Sequence, residues 1–117
     1  MKKDQAVATL AALAQDNRLD VFRLLVQAGA EGLPAGEIAS TLKIAPNTLT
    51  FHFDRLRMAG LVTVCREGRS MIYAAQYETI NALLAYLTEN CCQRPSSTPG
   101  KRNVIAPSTA RRREKVA

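Results

Sequence analysis

The sequence has no apolar run that approaches the ~18 residues of a membrane-spanning helix. Its start, Met1-Lys2-Lys3, leads into acidic and alanine-rich sequence, so the hydrophobic stretch of a signal peptide is missing. No internal repeat is visible, and 117 residues allow one compact domain but leave little for a second lobe or a cofactor cradle. We therefore expect a small cytoplasmic protein with one core.

Cysteine and histidine are scarce. The three cysteines, of which Cys91 and Cys92 are adjacent, do not resemble the even, spaced framework of a secreted disulfide-bonded protein. We expect their thiols to be reduced and free to bind a ligand. The only histidine is His52, so we do not expect it to serve as a metal ligand.

The net charge of +6 points to nucleic acid, but its position along the chain matters more than its size. Residues 1–92 contain nine basic and nine acidic side chains, whereas residues 93–117 contain seven basic and one acidic. The second segment is rich in Pro, Ser and Thr and has few large apolar residues. We interpret residues 1–92 as the folded domain and residues 93–117 as a disordered basic tail.

Two amphipathic helices are predicted at the start of the chain. The first runs from about Lys3 to Ala14, and the second follows a cap at Asp16 or Asn17 and ends at Gly29. Apolar residues at helical spacing predict a buried stripe on each helix. The stripes comprise Val7, Leu10, Leu13 and Ala14 in the first helix and Leu19, Phe22, Leu25 and Val26 in the second.

A helix-turn-helix is predicted next. Pro34 suits the first turn of a short helix, and Pro46 suits the start of another one, which Gly60 ends. Between them lies a short turn at residues 43–45, and two short helices joined by a tight turn form this motif. The inward residues are Ile38, Ala39 and Leu42 in the first of these helices and Leu49, Phe53 and Leu56 in the second.

The remaining pattern predicts a hairpin and a last helix. The β-rich runs at residues 61–66 and 70–75 flank a turn at residues 67–69, which indicates a wing. The last helix runs from about Tyr77 to Cys91. Its apolar surface is wider than packing on one side needs, so we infer a dimer contact. The predicted fold class is mainly α with a β-hairpin, a winged helix-turn-helix in the order α-α-α-α-β-β-α.

Several short motifs together resemble the ArsR/SmtB family of metal-responsive repressors. They are DNRLDVFRLL at residues 16–25, EIA at 37–39, TLTFHF at 48–53 with AGLV at 59–62, and REGR at 66–69. The resemblance covers roughly residues 5–92. It implies a homodimer joined through its first and last helices, which binds double-stranded operator DNA and releases it when an inducing ion binds. It implies no enzymatic activity and no required cofactor.

The predicted recognition helix carries polar and aromatic residues outward. Its amino-terminal residues normally enter the major groove. Asn47 and Arg55 can read adenine and guanine edges, Thr48 and Thr50 can contact phosphate or a base, and Phe51 can contact a thymine methyl group. The alternative is a solvated helix face, but an exposed Phe there needs a reason.

Three further residues are DNA-contact candidates. His52 lies at the edge of the buried face, so packing and a hydrogen bond to DNA are both open. Arg66 and Arg69 flank the hairpin turn, where they can reach phosphates or the minor groove. Their alternative role is that of ordinary wing charges.

Two familiar metal sites of the family are missing, and the adjacent cysteines remain. A Cys-x-Cys site would fall near residues 34–42, where there is no cysteine, and the zinc-type site on the last helix needs histidine. Cys91-Cys92, after YLTEN at residues 86–90, resembles the arsenic-responsive subgroup with adjacent cysteines ending the last helix. There a third, downstream cysteine commonly completes the site, and the tail has none.

Two soft thiols favour a trivalent metalloid such as As(III) or Sb(III), in inorganic or organic form, over Zn²⁺. The alternatives are that Cys91 packs at the dimer interface and Cys92 merely follows it, or that the pair forms an interchain disulfide on oxidation. A thiol enzyme such as an arsenate reductase is another alternative, but the sequence around Cys91 and Cys92 has neither the oxyanion-binding loop nor the general base that such an enzyme needs. An architectural DNA-binding protein acting through Arg111, Arg112 and Arg113 is a further alternative. We expect Cys65 to be a buried or half-buried residue of the hairpin.

Overall fold

The computed structural model of the protein describes residues 1–93. The helices and strands follow the predicted order, with one short strand more. They are α1 Lys3–Leu13, α2 Asp16–Ala28, β1 Leu33–Pro34, α3 Ala35–Leu42, α4 Pro46–Met58, β2 Val62–Glu67, β3 Ser70–Ala75 and α5 Tyr77–Thr88. The predicted winged helix-turn-helix is confirmed. No helix of this part of the chain is long and apolar enough to cross a membrane. The predicted basic tail lies outside the described residues, apart from Gln93.

The core lies where α2, α3 and α4 meet each other and the sheet. Leu25, Ile38 and Leu56 are completely buried there. Full burial of each such side chain contributes about 1.5–3 kcal/mol to the free energy of folding. The remaining core members are Ala12, Val21, Phe22, Ile44, Leu49, Phe53, Leu61, Val62 and Ala75.

The helix-turn-helix consists of α3, a turn at residues 43–45 and α4. Lys43 adopts the left-handed conformation with φ 57°, and the Ile44 amide donates a hydrogen bond to the Ala39 carbonyl at 3.1 Å. Pro46 occupies the first turn of α4, where its missing N–H leaves no helical hydrogen bond unmade. The predicted inward residues of α4 are confirmed as buried: Leu49, Phe53 and Leu56.

Strands β2 and β3 form the predicted hairpin, in which Glu67 pairs with Ser70 across a two-residue turn. Gly68 has φ 62° at this turn. Strand β1 was not predicted, and it pairs antiparallel to β3 with Leu33 opposite Tyr73, which gives the order β1-β3-β2. A two-residue strand that contains a proline offers no alternation from which it can be predicted.

One contact joins the wing to α4, and another closes the base of the hairpin. Phe53 of α4 stacks on Tyr73 of β3 with ring centroids 3.7 Å apart and an interplanar angle of 14°. At the base of the hairpin, the Gln76 amide donates a hydrogen bond to the Leu61 carbonyl at 2.8 Å. The helix-turn-helix and the wing therefore form one packed unit.

The predicted buried stripe of α1 is wrong at three of its four members. Val7, Leu10 and Ala14 are exposed and Leu13 is half-buried, while Ala6, Thr9 and Ala12 are buried against the rest of the protein. Small side chains let α1 lie close to α2, α4 and α5, all of which it contacts. Periodicity identifies the apolar residues of a helix, but it does not identify which of two adjacent faces packs within the chain.

Helix α2 shows the same limit. Leu19 and Val26 were predicted inside and are exposed, whereas Val21 is completely buried. The helix is capped by Gln15 rather than by either predicted residue, because the Gln15 side-chain oxygen accepts a hydrogen bond from the Arg18 amide at 3.0 Å. The predicted end of α2 at residue 29 is confirmed.

Helix α5 ends at Thr88, earlier than the predicted end at Cys91. Glu89 has extended backbone angles, and both Asn90 and Cys92 have positive φ values, of 60° and 65°. Positive φ at non-glycine residues interrupts a right-handed helix. The two adjacent cysteines therefore lie in a turn that follows α5 rather than on the helix itself.

Candidate DNA-binding surface and thiol pair

The predicted readers of α4 share one exposed surface. The side chains of Asn47, Thr48, Thr50, Phe51 and Arg55 are all exposed, while the opposite face of α4 forms part of the core. The first turn of α4 contains no acidic residue. Because the amino-terminal end of a helix carries partial positive charge, this end of α4 suits a phosphate or a groove edge.

Hydrogen bonds already orient two of these polar side chains. The Asn47 side-chain oxygen accepts from the Thr48 amide at 3.0 Å, which leaves the Asn47 amide group as a donor. The Thr50 hydroxyl donates to the Pro46 carbonyl at 3.0 Å and retains its lone pairs as acceptors. Both groups keep hydrogen-bonding capacity toward solvent, as contact with DNA requires.

The arginines of α4 are held in two different ways. Arg57 forms an exposed ion pair with Asp54 at 3.5 Å. The guanidinium carbon of Arg55 lies over the ring of Phe51, 4.9 Å from its centroid. Among the described residues, no carboxylate forms an ion pair with Arg55. Its hydrogen-bond donors are therefore available to an outside partner, while Arg57 has a carboxylate partner.

The structure corrects the prediction for His52 as a DNA contact and favours its packing alternative. Only 6% of His52 is exposed, and its Nδ1 atom has no hydrogen-bond partner. Burial lowers the pKa of His52, and the positive charge of Arg18 lowers it further. His52 is therefore a neutral interior residue of the recognition helix at neutral pH.

The wing carries its predicted arginines at an exposed tip. Arg66 lies in β2, Arg69 lies in the turn, and both are exposed. The Arg66 Nε donates a hydrogen bond to the Gly68 carbonyl at 3.3 Å. This bond holds the Arg66 side chain toward the tip of the hairpin, on the same unit as α4.

The prediction did not include a groove beside the recognition helix. This groove has a volume of about 590 Å³ and lies between α1 and α4, with Arg18, Phe51, Arg55 and Met58 among its lining residues. Met58 is 78% exposed, although it is apolar. The spacing of Phe51, Arg55 and Met58 at i, i+4 and i+7 was the sequence feature that could have identified this stripe.

The adjacent cysteines lie close together after α5. Cys91 and Cys92 are both exposed. The pKa of the Cys91 thiol is raised, first by its side-chain hydrogen bond with Cys92 and second by partial loss of hydration. Both thiols lie on the same turn after α5 and are open to a ligand from solvent.

Other metal-binding groups are sparse around this pair. Among residues 1–93, no cluster of three or more His, Cys, Asp or Glu side chains is arranged to hold a metal ion. The prediction that Cys65 is buried or half-buried is wrong, because Cys65 is exposed on β2 of the wing. Along β2, Val62 is buried and Val64 is half-buried, so the alternation of side chains places Cys65 on the opposite, outward face.

The chain matches a helix-turn-helix family model and curated transcriptional regulators. Residues 13–65 match a family model described as a helix-turn-helix domain. Over 89 residues the chain is 29% identical to the HTH-type transcriptional regulator YgaV of Escherichia coli, covering 76% of this chain and 88% of that protein. Over 73 residues it is 32% identical to the uncharacterized HTH-type transcriptional regulator YceK of Bacillus subtilis, covering 62% and 72%.

Solved structures of similar fold are also transcriptional regulators or their winged helix-turn-helix domains. HlyU from Vibrio cholerae superposes with a TM-score of 0.62 at 29% identity, covering 80% of this chain and all of that one. The ArsR family transcriptional regulator RHA00566 gives a TM-score of 0.65 at 25% identity, with coverages of 76% and 89%. The homodimeric winged helix-turn-helix domain of Mb0332 from Mycobacterium bovis gives 0.61 at 28% identity, with coverages of 73% and 76%.

Proposed function

Because the chain belongs to the ArsR family of winged-helix transcriptional regulators, we propose that it is a homodimeric repressor that trivalent arsenic releases from operator DNA. Like its relatives, it is a DNA-binding regulator and not an enzyme. The dimer, the direction of regulation and the inducer are the parts that we propose. The observation that supports this inducer is the pair of adjacent thiols of Cys91 and Cys92, both exposed in the turn immediately after α5.

The chemistry of this pair suits a trivalent arsenical. Arsenous acid, As(OH)₃, condenses with two thiols to form two As–S bonds and releases two water molecules, and a monosubstituted arsenical R–As(OH)₂ reacts in the same way. The reaction needs no oxidant and proceeds from protonated thiols, so the raised pKa of Cys91 does not prevent it. A zinc ion is disfavoured, since it requires about four ligands and no such cluster lies among residues 1–93.

Oxidation of the thiols is the alternative regulatory chemistry. Attack on peroxide requires a thiolate, and the raised pKa of Cys91 keeps that thiol protonated at neutral pH. A reactive redox cysteine normally has a lowered pKa. The direction of the Cys91 shift therefore supports metalloid binding over oxidation.

A route from the thiol pair to the DNA-binding surface exists within one chain. The pair follows α5, α5 contacts α1, and α1 contacts the recognition helix α4. In a dimer joined through α1 and α5, a change at the end of α5 alters the spacing of the two recognition helices. A ligand that favours the altered spacing lowers the population of the DNA-binding form.

A DNA-release titration tests this proposal. The probe is a duplex selected by the wild-type protein from a random DNA pool, and the inducers are arsenite and methylarsenite. We expect wild type and the matched control Cys65→Ser to release the duplex, and Cys91→Ser and Cys92→Ser to retain it, with an inducer requirement raised at least tenfold. Comparing the two inducers also identifies whether an organic substituent replaces a third ligand.

The outcomes that contradict the proposal are distinct. Release that persists in both serine variants rejects the thiol pair as the sensor. Release by peroxide without arsenic, with a disulfide on non-reducing electrophoresis, supports oxidation instead. Run-off transcription from a promoter that overlaps the selected site tests repression, because HlyU of Vibrio cholerae is described as an activator. More transcript on addition of the protein rejects the repressor assignment.

A further inference from the structure

We propose that Phe51 is a positioning residue, which orients the Arg55 guanidinium for reading a base edge in DNA. This inference rests on the proposed DNA-binding function and concerns the origin of its sequence specificity. Phe51 and Arg55 lie one helical turn apart on the exposed face of α4. The guanidinium carbon of Arg55 lies 4.9 Å from the Phe51 ring centroid, which is a cation–π geometry.

The orienting contact leaves the donors of Arg55 unused. A guanidinium group that stacks on an aromatic ring presents its N–H groups at its edge, where they can bind the two acceptors of guanine. An ion pair with a carboxylate would occupy the same donors. Arg57 has such a pair with Asp54 at 3.5 Å, whereas Arg55 has none among residues 1–93. The two neighbouring arginines are therefore prepared differently, and only Arg55 is both oriented and unoccupied.

The Phe51 ring is itself held from inside the protein. The buried ring of His52 lies edge-on to it, with centroids 5.8 Å apart and an interplanar angle of 64°. Because His52 is only 6% exposed, its position is fixed by packing. Phe51, which is 51% exposed, lies between this fixed ring and the guanidinium group of Arg55. The arrangement reduces the conformational entropy that Arg55 loses on binding a base.

An orienting role also gives a reason for an aromatic side chain in the solvent-facing stripe of α4. A direct contact between Phe51 and a thymine methyl group would explain the ring without any role for Arg55. If Phe51 orients Arg55, removing the ring weakens the preference at a G·C pair, and only when Arg55 is present. If Phe51 contacts a thymine methyl group, removing the ring weakens the preference at an A·T pair, with or without Arg55.

The test measures base preference with a set of operator variants. Fluorescence anisotropy follows the binding of the selected duplex and of its single-base-pair substitutions to wild type and to Phe51→Leu, Phe51→Tyr, Arg55→Ala and Phe51→Leu/Arg55→Ala. Met58→Leu is the matched control, since it changes another exposed apolar residue of the same stripe. We expect Arg55→Ala to abolish the preference at one G·C pair.

Phe51→Leu is expected to reduce that same preference about three- to fivefold, the size of an exposed cation–π contact, and to leave other pairs unchanged. Phe51→Tyr retains the ring and is expected to restore the preference. In the Arg55→Ala background, Phe51→Leu is expected to have no further effect, because the ring acts through the arginine. In the free protein, NMR is expected to show upfield-shifted Arg55 side-chain protons in wild type and Phe51→Tyr but not in Phe51→Leu.

Three results would separate failure of this inference from failure of the proposed function. Equal weakening of every duplex by Phe51→Leu assigns the ring a general packing role and overturns the inference. Loss of preference at an A·T pair, additive with Arg55→Ala, assigns the ring a direct thymine contact and also overturns it. If wild type binds all duplexes alike, the sequence-specific function itself is rejected.

Discussion

Single residues in this protein show how burial decides between alternatives that the sequence leaves open. At the edge of an amphipathic stripe, the sequence allows His52 either to pack or to contact DNA. The structure places it inside with an unpaired Nδ1 atom, next to the charge of Arg18. Asn47 and Arg55 were placed correctly on the exposed face, because helical spacing from the core residues fixes their direction. For a residue between the buried and exposed faces of a helix, such as His52, the spacing does not decide burial. The packing of neighbouring elements decides it.

His52 makes stability depend on pH. In the unfolded chain it takes up a proton near its ordinary pKa of about 6.5, whereas the lowered pKa in the folded protein delays protonation to lower pH. Between these two values the unfolded state binds more protons, so the free energy of unfolding falls as pH decreases. We expect this loss below about pH 6.5, with a slope under about 1.4 kcal/mol per pH unit.

Urea denaturation at several pH values between about 5 and 7.5 measures this effect. His52→Gln is the comparison, because it retains a polar side chain without a titrating ring, and His52 is the only histidine in the chain. In this variant the free energy of unfolding is expected to stay constant where it falls in wild type, below about pH 6.5. An equal decline in both proteins would assign the pH dependence to carboxylates.

At the scale of elements, the sequence predicts what repeats along the chain and misses what depends on a single contact. The four helices of the amino-terminal half, the hairpin and the last helix follow from periodicity and from glycine and proline positions. Strand β1 does not, because it consists of one short pairing with β3. The last turn of α5 also differs, since apolar spacing continues to Cys91 while the backbone leaves the helix at Thr88.

Gly32 is the residue on which the pairing of β1 depends. It has φ 70°, and a Cβ atom there would collide with the Tyr73 carbonyl of β3. We expect Gly32→Ala to destabilise the protein by about 1–3 kcal/mol, because a residue with a side chain is strained at positive φ and cannot approach β3 closely. Thermal and denaturant unfolding measure this change.

Gly36→Ala provides the matched control within α3. Gly36 has open space around its Cβ position and lies in a helix, so alanine is expected to stabilise the protein by about 0.5–1 kcal/mol. Hydrogen exchange of the β3 amides measures whether Gly32→Ala destabilises the protein by weakening the pairing of β1 with β3. Unchanged protection in β3 would contradict this explanation.

At the scale of the whole molecule, the unexplained feature is apolar surface that one chain leaves exposed. Val7 and Leu10 of α1 are 60% and 44% exposed, and Leu84 and Leu87 of α5 are 54% and 55% exposed. The sequence correctly predicted more apolar surface on α5 than one-sided packing uses, but it could not assign the larger residues of α1 to the same role. A second copy of the chain accounts for both helices, since the small residues of α1 already pack within the chain.

A charge placed in this surface is expected to separate the copies. Leu87→Glu buries an unpaired carboxylate on each side of the proposed dimer, so its dissociation constant is expected to rise by roughly a hundredfold or more. Sedimentation velocity or light scattering coupled to chromatography measures the mass in solution. Met71→Glu is the matched control, because Met71 is a similarly exposed apolar residue of the wing and lies on another element. If Leu87→Glu remains dimeric with an unchanged dissociation constant, the copies join through another surface, and the proposed route from the thiol pair to the recognition helices loses its basis.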